Sequence, residues 1–169
     1  MPFRTRNVIR EGLIAGAIGA TSVAIWFLLI DSIAQRPFFT PQLLGNALLS
    51  VFDRALSSSP ESFAVTVVMY TVFHYIAFCL AGILVSVVVH LAETTPSILG
   101  GFFILFIAFE IGFHGLVALL QETTILGALA WYQIMLGNLI AASLMGTYLW
   151  RVHPELAGEV RHALDGLGE

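Results

Sequence analysis

The chain has 169 residues, of which 58% are hydrophobic and only 11% are charged, and its formal net charge is −4. Soluble domains average about 25% charged residues, so this chain has too few ionisable groups to cover a water-exposed surface. The composition argues against a soluble globule, a disordered chain and a nucleic-acid-binding protein. It predicts one integral membrane domain over residues 1–169.

The residue inventory excludes several kinds of chemistry. The seven basic residues are all arginines, and Cys79 is the single cysteine. A Schiff base needs a lysine amine, so a retinal pigment and a pyridoxal-type enzyme are excluded. One cysteine cannot form an internal disulfide or a cysteine zinc site. No catalytic motif is present, and we favour a non-enzymatic role.

Four uncharged stretches, the third interrupted once by Glu110, are long enough to cross a bilayer, which takes roughly 20 apolar residues. Apolar residues surround each stretch instead of alternating, which favours helices over barrel strands. The first stretch exceeds the roughly 7–15 apolar residues of a secretory signal, so we expect it to be retained. We predict an all-α, polytopic protein with four transmembrane helices. The predicted spans cover residues 12–31, 61–92, 96–121 and 124–151.

Two amphipathic helices are predicted outside the spans. Apolar residues recur on one side of residues 41–56 and polar residues on the other, which predicts a helix lying in the membrane interface. The pair Thr40-Pro41 is typical of a helix start. Asp31, just before this connection, is expected to be an interfacial end residue. A second, short amphipathic helix is predicted over residues 154–165.

The arginines predict the orientation of the chain. With four spans, both termini lie on one side of the membrane. That side carries the arginines at positions 4, 6, 10, 151 and 161, against 36 and 54 on the other. The positive-inside rule then places both termini in the cytoplasm, and we expect a bacterial inner membrane.

Polar side chains inside the predicted spans are the candidates for function, because a charge at mid-bilayer costs roughly 2.5–3.5 kcal/mol. From the helix rise, His74 lies roughly 20 Å and Glu110 roughly 18 Å from the outer surface. His114 lies one turn outward from Glu110 on the same face. We expect these three side chains to meet inside the bundle. Supporting polar groups are expected from Tyr70, Gln133 and Asn138.

Three interpretations of His74, Glu110 and His114 are open. In the first, they form a structural hydrogen-bond network in a small membrane subunit or scaffold. In the second, they bind a metal ion or a haem, because imidazole and carboxylate groups are common ligands. In the third, they relay protons or ions. We favour the structural network.

Small residues at helical spacing form two ridges suited to close helix contact. They are Gly12, Gly16 and Gly19 on the first span, and Gly137 and Ala141 on the fourth. Such ridges serve packing within the chain, association with other membrane subunits, or self-association. Beyond these, the lipid bilayer is the expected partner.

Three further histidines lie at or beyond the ends of the predicted helices. They are His90, His153 and His162. An imidazole at a helix end reaches water easily, so we expect all three side chains to be solvated.

Overall fold

The structure is a computed structural model, which describes residues 5–56, 62–92, 106–107, 109–115 and 131–154. All regular elements in these ranges are helices, which confirms the all-α prediction. The elements are α1 (Thr5–Ile33), α2 (Phe39–Leu56), α3 (Phe63–Ala92), α4 (helical residues 106–107 and 109–115) and α5 (Trp131–Val152).

Several predicted features lie outside the described residues. They are the third span at 96–105 and 116–121, the start of the fourth span at 124–130, His162 and all but the first residue of the helix predicted at 154–165. Within the described part, α1 begins at Thr5 instead of residue 12. This longer helix includes Glu11, which we had placed outside the first span.

Two of the described helices have the length and hydropathy of membrane spans. They are Asn7–Ile33 within α1 and Phe63–His90 within α3, with hydropathies of 2.2 and 2.4. Only 28% of the most apolar window of α1 and 11% of that of α3 are buried. The core helix of a soluble protein is mostly buried, so this exposure favours helices that face lipid.

Glycines bring the backbones of α1 and α3 into direct contact. A Cβ added to Gly12 would overlap the backbone of Ile83, and one added to Gly16 would overlap the backbone of Cys79. From the other side, a Cβ on Gly82 would overlap the backbone of α1. Such close approach is the packing that small-residue ridges allow. The structure therefore uses the predicted glycine ridge of α1 for packing within the chain.

The same side of α1 continues onto α5. A Cβ on Gly19 would overlap the side chain of Met145, and one on Gly137 would lie 3.0 Å from the Trp26 ring. The Trp26 indole N–H donates a hydrogen bond to the Gln133 carbonyl oxygen at 2.9 Å. α1 is therefore the central helix, with α3 and α5 packed against it.

The first turns of α1 lie beside the last turns of α3 and α5. α1 therefore runs antiparallel to both, and α3 and α5 run in the same direction. The core that these helices enclose with α2 and α4 consists of Ala15, Val23, Phe27, Leu44, Ala47, Phe109, Ile134, Ala141, Ala142, Met145 and Leu149.

A buried carboxylate holds the corner between α1 and α2. Asp31 is 4% exposed, and it accepts hydrogen bonds from the Thr40 backbone N–H at 2.8 Å and the Thr40 hydroxyl at 2.9 Å. The first N–H groups of a helix have no partner within the helix, so a carboxylate there acts as a cap. Gln35 and Phe38 have positive φ angles of 56° and 66° in this tight connection. Asp31 is thus a buried cap near the end of α1, and its position at the membrane interface stays a prediction.

Asp31→Ala is expected to destabilise the protein by about 2–3 kcal/mol, because it removes two hydrogen bonds to a charged acceptor at a buried position. Asp31→Asn keeps one acceptor oxygen and should cost only about 1 kcal/mol. Thermal unfolding of the detergent-purified variants measures both effects. An Asp31→Ala variant as stable as wild type would show that the carboxylate does not act as the cap.

Candidate functional site

His74 faces α1. Its Nε2 lies 3.0 Å from the carbonyl oxygen of Ala20, and because a carbonyl only accepts, Nε2–H is the donor. The ring packs on Phe78 at 4.7 Å and on Tyr70 at 5.7 Å between centroids. The side chain is 9% exposed. His74 therefore makes an interhelical hydrogen bond that joins α3 to α1.

Glu110 faces α5. Its Oε1 accepts a hydrogen bond from the side-chain amide of Asn138 at 2.8 Å. Its Oε2 lies 3.6 Å from Nε2 of His114, one turn along α4. The His114 side chain is 47% exposed, whereas Asn138 is 7% exposed. The strongest contact of Glu110 is thus the bond that joins α4 to α5.

The structure divides the predicted polar set between two helix contacts. Within the described residues, no hydrogen bond or ion pair joins His74 to Glu110 or His114. Gln133 takes part through its backbone oxygen, and Tyr70 through its ring. The rise along a helix predicts how deep a side chain lies, but not which neighbour it faces.

A cavity of about 330 Å³ lies beside both contacts, and its lining is mostly apolar. Phenylalanine rings line it, and Tyr70, His74 and Asn138 contribute polar groups. The His74 imidazole and the Asn138 amide already hydrogen-bond across helix interfaces. Among the described residues, the cavity therefore offers an apolar space without a converging set of ligands.

A second group of ionisable side chains lies at one end of the bundle. Glu11 of α1 lies between His90, at the end of α3, and His153, directly after α5. Its Oε2 is 3.7 Å from Nε2 of His90 and 3.1 Å from Nε2 of His153. The three ligand atoms all lie within 4.8 Å of one another. We call these three residues the end cluster.

The end cluster is largely shielded from solvent. The side chains of Glu11, His90 and His153 are 14%, 16% and 6% exposed. The two imidazole rings meet edge to face, with centroids 4.6 Å apart. The expectation that His90 and His153 are solvated is therefore wrong. Antiparallel packing brings the ends of α3 and α5 onto α1, where each imidazole finds the carboxylate.

The sequence contains a signal for the end cluster that we did not use. Glu11, His90 and His153 all fall on the arginine-rich side of the predicted topology. Estimating their depth, as we did for His74 and Glu110, would have placed the three at one level. Glu11 was left out because the uncharged stretch was counted from the residue after it.

The end cluster combines two imidazoles and one carboxylate around a small space. This donor set can share a proton between the carboxylate and an imidazole, or it can bind a divalent metal ion. Comparison with family models, with curated proteins and with solved structures found no match for this chain.

Proposed function

We propose that the chain is an integral membrane protein with four transmembrane helices, which works as a small membrane subunit or scaffold. Its intramembrane polar groups hold the helices together and carry no chemistry. The observation that carries this proposal is an outward apolar stripe on α3. The stripe repeats every four residues, and its members are 52–67% exposed: Val68, Val72, Ile76, Leu80 and Leu84.

The two ends of this stripe are 16 residues apart, or roughly 24 Å along the helix. An apolar surface of that length is costly in water and is typical of a face that contacts lipid or another protein. The opposite side of α3 carries His74, Phe78 and Gly82, which contact α1 or its packing partners. The two sides of α3 support a helix with lipid on one face and the bundle on the other.

The charges on α1 fit the thickness of a bilayer. Arg10 and Glu11 lie near one end and Asp31 near the other, with no charged residue between them. Glu11 and Asp31 are 20 residues apart, or roughly 30 Å along the helix axis. The hydrocarbon core of a membrane is also about 30 Å thick.

Three exposed threonine hydroxyls are satisfied within their own helices. Thr21, Thr71 and Thr147 are exposed, and each donates a hydrogen bond of 2.7 Å to the carbonyl oxygen four residues earlier. Lipid offers no other partner for a hydroxyl, so this arrangement suits helices inside a membrane.

Two features support four crossings. α3 and α5 run in the same direction, so the chain has to cross back between them, and α4 lies in that interval. Phe109 of α4 packs on Phe78 of α3 at 4.9 Å, and Glu110 bonds Asn138 of α5. In α5, Trp131 and Trp150 are both exposed and lie roughly 28 Å apart, as the aromatic residues at two membrane interfaces do.

The scaffold role is favoured over a cofactor or relay role at the predicted polar set. His74 and Glu110 each bond a different neighbouring helix, which is what polar residues do when they stabilise a bundle. A metal site, a haem site or a proton relay built on His74, Glu110 and His114 would need these groups to converge. In the proposed topology both termini lie in the cytoplasm of a bacterial cell, with the chain in the inner membrane.

Ile76→Lys tests the proposal against its matched control, Ile33→Lys. Ile76 lies in the middle of the outward stripe and is 54% exposed, whereas Ile33 lies at the end of α1 and is 83% exposed. If α3 crosses a bilayer, a lysine at position 76 costs roughly 2.5–3.5 kcal/mol, and a lysine at position 33 reaches the interface at little cost. The measurement is the amount of protein that stays in the membrane after an alkaline wash.

We expect wild type and Ile33→Lys to remain in the washed membranes, and Ile76→Lys to be lost or degraded. Reporters fused to the two ends should both be active in the cytoplasm. Recovery of all three proteins in the soluble fraction without detergent would refute the membrane proposal. Reporters on opposite sides would refute the even number of spans.

A further inference from the structure

We propose that the end cluster, Glu11, His90 and His153, is a binding site for a divalent first-row transition metal such as Zn²⁺. The ligands are Oε2 of Glu11 and Nε2 of each histidine. The proposal goes beyond the membrane scaffold role and does not depend on how many times the chain crosses the bilayer.

The distances fit a shared ion. With metal–ligand bonds of about 2.0–2.1 Å at tetrahedral angles, neighbouring ligand atoms lie about 3.3 Å apart. The Glu11 oxygen lies 3.1 Å from one imidazole nitrogen and 3.7 Å from the other. These values fall on either side of the tetrahedral spacing. The two imidazole nitrogens lie within 4.8 Å of each other, so binding needs side-chain movements that bring them to this spacing.

His90 is oriented as a metal ligand would be. Its Nδ1 lies 2.9 Å from the carbonyl oxygen of Ser86, and because the carbonyl only accepts, Nδ1–H is the donor. In the neutral ring, Nε2 then carries a lone pair, and that lone pair lies beside the carboxylate of Glu11. Two acceptors this close together are stabilised by a metal ion or a proton between them. A backbone carbonyl that fixes the other ring nitrogen is also the usual support for a metal-bound histidine.

The burial of the end cluster also supports a bound ion. Its three residues lie in or directly after three different helices, yet each side chain is less than a fifth exposed. Buried ionisable groups cost free energy unless they are paired or bind a metal. One turn before His90, Ser86 is fully buried, and its Oγ is the buried side-chain oxygen without a hydrogen-bond partner among the described residues. Buried hydroxyls nearly always have a partner, so at least one polar group at this end, Ser86 Oγ, is unsatisfied among the described residues.

The chemistry of the donor set defines the class of ion. Imidazole suits Zn²⁺, Fe²⁺ and related ions, whereas Ca²⁺ and Mg²⁺ prefer oxygen ligands. Two histidines and one carboxylate complete three positions and leave at least one for water or a further ligand. A bound ion would tie the start of α1 to the ends of α3 and α5.

The chain contains a natural control for this site. Glu110 and His114 form a carboxylate–imidazole pair at 3.6 Å, close to the 3.7 Å between Glu11 and His90. Within the described residues, no third ligand joins that pair, and His114 is 47% exposed. His114→Ala therefore removes an imidazole of the same chemistry from a place where only two ligands meet.

The test measures metal binding by the full-length protein, purified in detergent with an affinity tag that contains no histidine. After removal of metal with a chelator, Zn²⁺ is titrated in competition with a chelating dye. Co²⁺ serves as a spectroscopic probe of coordination by nitrogen and oxygen. The variants are His90→Ala, His153→Ala, Glu11→Ala and the control His114→Ala.

We expect one Zn²⁺ per chain for wild type and for His114→Ala, and a loss of affinity of at least about 100-fold for each variant of the end cluster. Zn²⁺ should also raise the melting temperature of wild type and of His114→Ala only. That readout separates a lost ligand from a misfolded variant, because a folded variant still melts cooperatively.

Two results would overturn the proposal. Absence of Zn²⁺ and Co²⁺ binding by folded wild-type protein would leave the end cluster as a proton-sharing ion pair. Binding that survives the three cluster variants but disappears in His114→Ala would place the metal at Glu110. Neither result would affect the membrane proposal, which the alkaline wash tests separately.

Discussion

Gly82→Ala is expected to destabilise the protein by about 3 kcal/mol, because the added methyl group has no space between α1 and α3. Its Cβ would overlap the Gly12 carbonyl oxygen and would lie 2.6 Å from the Gly16 nitrogen and 2.9 Å from the Gly16 Cα. These are backbone atoms, so no side chain can rotate away to make room. The two helices have to move apart over the length of their contact.

Gly112→Ala is the matched control, since it makes the same chemical change in α4. Among the described residues, no atom lies within 4 Å of the Cβ it would add. Alanine favours a helix over glycine by up to about 1 kcal/mol, so this variant should be neutral or slightly stabilised. Thermal unfolding in detergent, followed by recovery of monodisperse protein, measures the difference. Equal melting temperatures for the two variants would contradict the backbone contact between α1 and α3.

Gly82 also shows what spacing can predict about helix packing. The ridge of Gly12, Gly16 and Gly19 is visible in the sequence, because its members repeat at helical intervals. Gly82 is the one glycine of its apolar stretch, and Ser86, four residues later, gives only a weaker small-residue pattern. Only the antiparallel register of α1 and α3 places it opposite Gly12 and Gly16. One side of the contact was therefore predictable, and its partner was not.

The polar residues show a similar limit. Counting residues along a helix gives the height of a side chain, and His74 and Glu110 were predicted at nearly the same height. The direction around the axis depends on which helix packs against which face. Gly82 brings α3 onto α1, and His74 lies two turns earlier on the same face of α3. His74 therefore bonds Ala20 of α1. Glu110 bonds α5 instead.

Helix ends were the part of the site for which the sequence misled us most. Asp31 and His153 both lie at the end of a long apolar stretch, where water is the simplest partner. The structure instead gives each a partner in another element, Thr40 for Asp31 and Glu11 for His153. The Asp31–Thr40 contact forms where the chain turns from α1 into α2. The Glu11–His153 contact forms because antiparallel packing brings the end of α5 beside the start of α1. The position of a charge along one helix does not contain that information.

Three of the interhelical hydrogen bonds have a common arrangement. Trp26 bonds the backbone of Gln133, His74 bonds the backbone of Ala20, and Asn138 bonds Glu110. Each bond joins two different helices at a position surrounded by apolar side chains. In the proposed membrane setting no hydrophobic force drives one helix onto another, so van der Waals contact and such hydrogen bonds would hold the bundle. The glycine contact between α1 and α3 supplies the first, and these polar pairs supply the second.

Asn138→Ala is expected to cost about 2–3 kcal/mol of stability, because it removes the buried amide that donates to Glu110 at 2.8 Å. Asn138 is 7% exposed, so water does not readily replace the lost donor. Glu110→Gln keeps a carbonyl oxygen that can accept the same bond, and it should cost less than about 1 kcal/mol. His114→Ala should have little effect, because the imidazole is half exposed and an exposed ion pair contributes little.

Thermal unfolding of these three variants and of the double variant Asn138→Ala/Glu110→Gln gives the coupling between the two side chains. A bond between them predicts that the double variant is no less stable than Asn138→Ala alone, because Glu110→Gln then has no bond left to weaken.

Proton flux across vesicles that contain wild type or Glu110→Gln tests the competing role. A relay through Glu110 needs a carboxyl group that can exchange protons, so Glu110→Gln would abolish flux while leaving the fold intact. A stable Glu110→Gln variant that loses proton flux would therefore indicate a relay instead of the scaffold role. Additive losses of stability would show that Asn138 and Glu110 do not bond each other.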